Sequence, residues 1–295
     1  MLMARMRRTL RSSRRLRFAA VLAGLVAIAG AAAGCGSDDP NDPAADAGPV
    51  HVHGLGVNPG DSSLYIATHT GLFRMAKGSE EVERVGNSFQ DTMGFTVVGP
   101  DRFLGSGHPD LGTDLPPLLG LIESTDAGRS WEPLSLLGEA DFHALRADGP
   151  RVLGYDASGE RLMSSADGGR TWTSTRPPAT LVDVVVHPGD PGRLVAAGEA
   201  GMISSRNGGR TWAAPRGVAV ALAWPSRDSL YALGPYGAVS RSRDGGASWA
   251  EVGTVPGEPA ALTALDRDTL IVALHDGGFA HSADGGRSWA PGAWQ

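Results

Sequence analysis

The chain has 295 residues, with 26 basic against 32 acidic side chains and a formal net charge of −6. That balance offers no cationic footprint for a nucleic-acid backbone, and a single cysteine excludes an internal disulfide. The fold must therefore rest on buried apolar area, for which the chain is long enough.

The first 34 residues read as an export signal. Seven arginines from Arg5 to Arg17 precede an apolar run over 18–33, and Ala32-Ala33-Gly34-Cys35 follows. The run is short for a spanning helix, and small residues directly before Cys35 resemble a bacterial lipobox, with Ala32 where Leu is usual. Ser13-Arg14-Arg15 resembles part of a twin-arginine signal, although Arg17 stands where that motif has Phe. The resemblance implies export, lipidation at Cys35 and anchoring to the cell envelope on its extracytoplasmic side. Loss of the seven arginines leaves 19 basic residues against 32 acidic ones, a mature charge of −13. Residues 35–48, rich in Asp and without an aromatic residue, read as a disordered tether.

Residues 49–295 carry the internal repeat. Ser165-Ala166-Asp167-Gly168-Gly169-Arg170-Thr171-Trp172 returns, nearly unchanged, at 124–131, 205–212, 242–249 and 282–289, so that successive tryptophans are 41, 40, 37 and 40 residues apart. Asp followed by Gly supplies an acceptor for backbone amides and a residue that takes positive φ, as a tight hairpin turn requires. The Ser hydroxyl can close the turn, and the Trp has a face to bury against the next unit. In the copy at 205–212 Asn207 replaces the Asp, which keeps the carbonyl acceptor and loses the charge.

Period-2 alternation aligns six units, each opening with an inner strand at 51–57, 92–98, 141–147, 181–187, 218–224 and 260–265. Second strands follow at 63–68, 102–106, 151–155, 193–197, 229–233 and 269–274. A third strand, the octapeptide turn and a fourth strand complete each unit, and unit one turns instead at Lys77-Gly78-Ser79-Glu80. Four strands per unit and no helical periodicity predict an all-β fold, a six-bladed β-propeller. Seven blades is the alternative, if the insert at 108–119 hides strands.

The octapeptide resembles the Asp-box, or BNR repeat, with the pattern Ser-x-Asp-x-Gly-x-Thr/Ser-Trp. Proteins of that kind include sialidases, other glycosidases, sortilin-like receptors and photosystem assembly factors, so the resemblance implies the propeller and leaves the activity open. His51-Val52-His53-Gly54-Leu55-Gly56, with Ala67 to Phe73, is also similar to the opening of bacterial Asp-box lipoproteins labelled sialidase-like or glycosylhydrolase-like.

Antiparallel topology puts the octapeptide turns, and Arg129, Arg170, Arg210 and Arg287 within them, at the end of the blades away from the mouth. They read as structural. Superimposed inner strands place His53, Met93 and His143 at one position of three consecutive blades, with Asp183 at or next to it in the fourth. His51 shares a side of its strand with His53, and second-strand ends bring His69, His108, Asp156, Glu199, His275 and Asp276 to the same rim. His187 falls in a plain turn and His281 beside the last octapeptide. Imidazole with thioether suits copper, so His51, His53, Met93 and His143 are the expected ligands, His69 and His108 second-ring candidates, and zinc the alternative ion.

A glycosidase acting on a glycan is the competing expectation, and a protein-docking scaffold is the third. Sialidases of this class use an arginine triad, a Tyr with a Glu, and an Asp acid/base, and no such triad appears at the mouth. Tyr155 or Tyr236 with Glu199, and Asp183, Asp156 or Asp276 as acid, are the candidates for another glycosidase chemistry. A broad apolar patch at the mouth would favour the scaffold.

Overall fold

The computed structural model describes residues 48–292 and residue 294, so the export signal, Cys35 and nearly all of the tether lie outside the described residues. Twenty-three strands form six sheets, at residues 52–84, 91–135, 142–175, 181–205, 221–254 and 259–291, and each sheet runs in simple sequence order. These are six antiparallel blades. The inner strands are Val52–Val57, Asp91–Gly99, Phe142–Asp148, Leu181–His187, Ala221–Ser226 and Pro259–Ala264.

The insert at 109–120 forms no strand, so the ring has the six blades expected and not the alternative seven. One expectation changes. Blade four has three strands, and its fourth is reduced to a single bridge between Met202 and Arg216. The segment Ala213-Ala214-Pro215 explains the loss, because Pro215 has no N–H to give to a ladder.

The core lies between blades. Six clusters of buried side chains each draw on two neighbouring blades, such as Tyr65, Ala67 and Leu72 with Phe95 and Phe103 at the first junction. The ring closes without exchange of a strand: Val52, Ile66 and Phe73 of blade one pack on Ala261, Phe279 and Trp294. Gly78 N donates to Trp294 O at 3.0 Å, and the Lys77 ammonium sits 5.0 Å from the Trp294 ring centroid.

Each octapeptide closes as its chemistry dictates. Ser165 Oγ accepts from Gly169 N at 2.9 Å, while Asp167 Oδ1 accepts from Thr171 N at 2.9 Å and Oδ2 from Thr171 Oγ at 2.6 Å. Bonds to Thr171 and Ser165 hold the Asp167 carboxyl well below its ordinary range. Asn207 keeps the pattern, accepting from Thr211 N at 2.9 Å and donating to Thr211 Oγ1 at 2.8 Å. The turn also joins blades: Gly169, at φ 89°, lies where a Cβ would come 2.2 Å from Leu121 of the preceding blade. Trp172 stacks on Phe142 with ring centroids 5.1 Å apart and donates from Nε1 to Gly169 O at 3.1 Å.

Candidate functional site

A one-residue bulge at the start of the inner strand aims side chains into the central channel. In blade one Val52 pairs with Thr68 and Gly54 with Ala67, which leaves His53 unpaired between them. The same step leaves out Met93 in blade two, His143 in blade three, Val182 in blade four and Ala260 in blade six. A bulge bends the strand and re-aims the extra residue, so ring repetition turns one local irregularity into a collar of facing side chains. All five line a channel of about 760 Å³. The collar carries imidazole, thioether and imidazole on blades one to three and aliphatic side chains at Val182 and Ala260. In blade four the aligned residue is Val182, and its neighbour Asp183 turns into the wall, where it binds Arg146 at 2.6 Å, Val184 N at 2.7 Å and Leu222 N at 2.7 Å.

The histidines gather around two aspartates. His69 Nδ1 lies 2.9 Å from Asp91 Oδ2 and His53 Nε2 lies 3.8 Å from Asp91 Oδ1, and one donor atom from each of the three residues fits within 4.8 Å. The rings of His53 and His69 meet edge to face at 4.3 Å, and that of His51 stands 5.2 Å from His69. His51 is exposed and holds a left-handed φ of 54° just ahead of the strand. His143 Nε2 lies 2.8 Å from Asp141 Oδ2, and His108 Nε2 approaches the same oxygen at 3.7 Å.

The electrostatics of the two groups differ. Burial, with the neighbouring His69 ring, pushes His53 down to about 4, so its imidazole is neutral and its lone pair available at neutral pH. The hydrogen bond to Asp141 raises His143. His53 Nε2, Asp91 Oδ1 and Asp141 Oδ1 are buried and have no hydrogen-bond partner among the described residues. A buried polar atom without a partner costs free energy, and here an imidazole nitrogen and a carboxylate oxygen face one another. With bonds of 2.0–2.1 Å, adjacent donors on a tetrahedral ion stand about 3.3 Å apart, and the observed 2.9 and 3.8 Å bracket that spacing.

The alignment of His53, Met93 and His143 is therefore legible in the sequence, while Asp91 and Asp141 were missed. Each stands two residues ahead of the bulged residue of its blade, where blade one has His51, so aligned repeats carry the signal that would have found them. The glycosidase candidates do not assemble. Tyr155 is buried within the junction of blades three and four, Glu199 and Tyr236 are exposed on loops of different blades, and Asp156 is held by Arg161 at 2.7 Å and Ser158 at 2.7 Å. His275 and Asp276 lie beside His51 and Val50 on a shallow groove at the same rim. Eight large hydrophobic side chains are exposed among the described residues. Seven of them lie at the mouth, with Leu111 and Tyr236 standing out most, and only Leu265 lies at the opposite end.

No protein-family model and no curated protein matches the chain. Its fold is similar to that of the GH74 xyloglucanase from Xanthomonas campestris, with a TM-score of 0.54 and 18% identity over 83% of this chain and 45% of that one. An ancestral GH74 enzyme gives 0.55 and 13% over 79% and 36%, so this chain spans less than half the length of either enzyme. YCF48 from Cyanidioschyzon merolae gives 0.50 and 15% over 83% and 85%. At such identities the likeness is one of fold alone: the chain is a six-bladed β-propeller, and the GH74 enzymes and YCF48 that it resembles are β-propellers too.

Proposed function

We propose that this protein is an envelope lipoprotein of the Asp-box kind, exported and held to the membrane through Cys35, whose propeller captures a transition-metal ion at its mouth. Copper is the first candidate and zinc the alternative. One observation carries the reading: His53 Nε2 and Asp91 Oδ1 face each other at 3.8 Å, both buried and both without a hydrogen-bond partner. His69, on the other oxygen of Asp91, completes a donor set of two imidazoles and one carboxylate, which suits divalent copper or zinc. A mature charge of −13 favours cations over anions.

The test uses the full chain, purified in detergent and without a histidine tag, incubated separately with Cu²⁺ and Zn²⁺, desalted and assayed for metal per chain. Retention that falls in His53→Ala, His69→Ala and Asp91→Asn supports the reading. A parent that retains no metal sinks it and moves the glycosidase to first place.

Docking of a protein partner is favoured by a separate observation, the concentration of exposed hydrophobic side chains at the mouth. Leu111→Asp with Tyr236→Ser should then release a cross-linked envelope partner, and an unchanged cross-linking pattern removes this reading. The glycosidase reading has the fold and lacks an assembled pair of carboxylates among its candidates.

A further inference from the structure

The chain enters the propeller at the mouth. Thr70, in the turn between the second and third strands of blade one, donates from Oγ1 to Gly48 O at 3.3 Å, and Pro49 and Val50 share a groove with Leu274 and His275 before the first strand opens at Val52. Thirteen peptide steps separate Cys35 from Gly48 in the sequence, about 45 Å at full extension, so the anchor proposed at Cys35 keeps the mouth within that distance of the bilayer. The octapeptide end lies a blade height further away, about 20 Å for a six-residue strand.

Exposed apolar side chains at this end form two patches on opposite sides of the ring. Leu111, 98% exposed, and Leu115 lie on the blade-two insert, which is tied to Phe89 because Asp110 Oδ2 accepts the Phe89 N–H at 2.9 Å. Tyr236, 92% exposed, stands on the turn between the second and third strands of blade five, and Val218 lies just ahead of that blade's first strand. Blades two and five face each other across a ring of six. Two apolar patches divided by an open channel fit a flat surface that spans the mouth, whereas a protein partner is usually met by one continuous patch with an apolar centre. Tyr236 has the amphipathic ring that sits at a membrane–water interface. Exposed Glu139, Glu199 and Glu258 on the same rim exclude burial deeper than the headgroups.

We propose that the mouth is a membrane-docking face, which rests on the phospholipid bilayer that carries the anchor. Phe89, Leu111 and Leu115 on one side of the ring and Val218 and Tyr236 on the other meet lipid at the level of the headgroups. The inference rests on the lipid anchor at Cys35 and is independent of the metal. Tethering supplies the local concentration that makes a weak apolar contact with lipid persist. Docking turns the channel toward the bilayer, so a solute reaches His53 through the gap between the propeller and the headgroups.

The test uses the full chain, expressed with its export signal, purified in detergent and reconstituted into phosphatidylcholine vesicles. Cys35 is the only cysteine, so once it is acylated Leu111→Cys, Tyr236→Cys and Leu265→Cys each offer a single thiol to an environment-sensitive nitrobenzoxadiazole label. Nitroxide-bearing phospholipid should quench the label in Leu111→Cys and Tyr236→Cys roughly twofold or more beyond its effect in Leu265→Cys, at the octapeptide end, as burial at the headgroup boundary requires. Equal quenching at all three positions overturns the inference. A blue-shifted but unquenched label at 111 and 236 identifies a second copy of the chain as the occupant, and an unshifted, unquenched one leaves the patches to a protein partner; both overturn it. A parent chain that itself takes the label lacks the lipid, which removes the anchor and this inference together. A parent that refuses the label, with 111 and 236 unquenched, removes this inference alone. All three side chains are exposed, so the variants should keep the parent's melting temperature, and should one mouth variant fail to fold the other carries the comparison.

Discussion

His53 Nε2 and Asp91 Oδ1 stand 3.8 Å apart with no hydrogen bond to either atom, although both are buried among the described residues. With the His53 proton on Nδ1, the tautomer that a ligating Nε2 requires, both atoms are acceptors and the metal-free fold then holds an unfavourable pair. Asp91→Asn should relieve it, because the amide can donate to His53 Nε2 while its oxygen keeps His69. The expected result is a metal-free protein stabilised by about 1 kcal/mol in urea titration that no longer retains metal. A destabilised Asp91→Asn protein would contradict this account of the pair.

The serine of the octapeptide is architectural. Ser165 is buried and its Oγ accepts the Gly169 amide at 2.9 Å, so Ser165→Ala leaves a buried N–H without a partner. A loss of about 1–3 kcal/mol is expected in equilibrium unfolding, with metal retention unchanged in the folded fraction. Native stability combined with lost retention would place function at the wrong end of the blades.

Gly169 tests the contact between blades. A Cβ there meets Leu121 Cδ2 at 2.2 Å, and φ 89° disfavours any L-residue. Gly169→Ala should cost about 2 kcal/mol or more by overpacking and strain. Gly168, at φ 78°, faces only the flexible Arg170 side chain, so Gly168→Asn should cost less, by comparison of urea midpoints.

The two groups at the mouth respond to pH with opposite signs. His53 titrates near 4 when folded and near 6.5 when unfolded, so its contribution is present above pH 6.5 and lost as pH falls from there toward 4, at up to about 1.4 kcal/mol per pH unit. His143, raised by Asp141, contributes below 6.5, and that contribution is lost as pH rises through its folded value. Imidazole resonances of metal-free protein should show the two titrating on opposite sides of 6.5. His53→Gln should flatten the fall in melting temperature between pH 7 and pH 4.5, and an unchanged slope would discount the burial of His53 as its cause.

The proposed anchor at Cys35 lies outside the described residues and is tested apart from the fold. Cys35→Ala should move the protein from the membrane fraction to the soluble extracytoplasmic fraction without altering its melting temperature. Membrane association that persists would remove the lipid anchor from the reading.

The sequence by itself determined the ring. Five octapeptides near a 40-residue period, each closing through its own Ser, Asp or Asn and Gly, require one hairpin per unit, and alternation supplies the strands that the hairpin joins. It also aligned His53, Met93 and His143, because a repeat imposes equivalent positions without any knowledge of contacts. Tertiary structure decided what each of these meets. The partners lie across blade boundaries: His69 finds Asp91 22 residues on, and His108 finds Asp141 33 residues on, at a register set by how neighbouring sheets twist and pack rather than by any local pattern. The bulge that aims the collar inward is likewise a property of strand pairing, in which one residue is left without an opposite, and a single strand read alone does not carry that information.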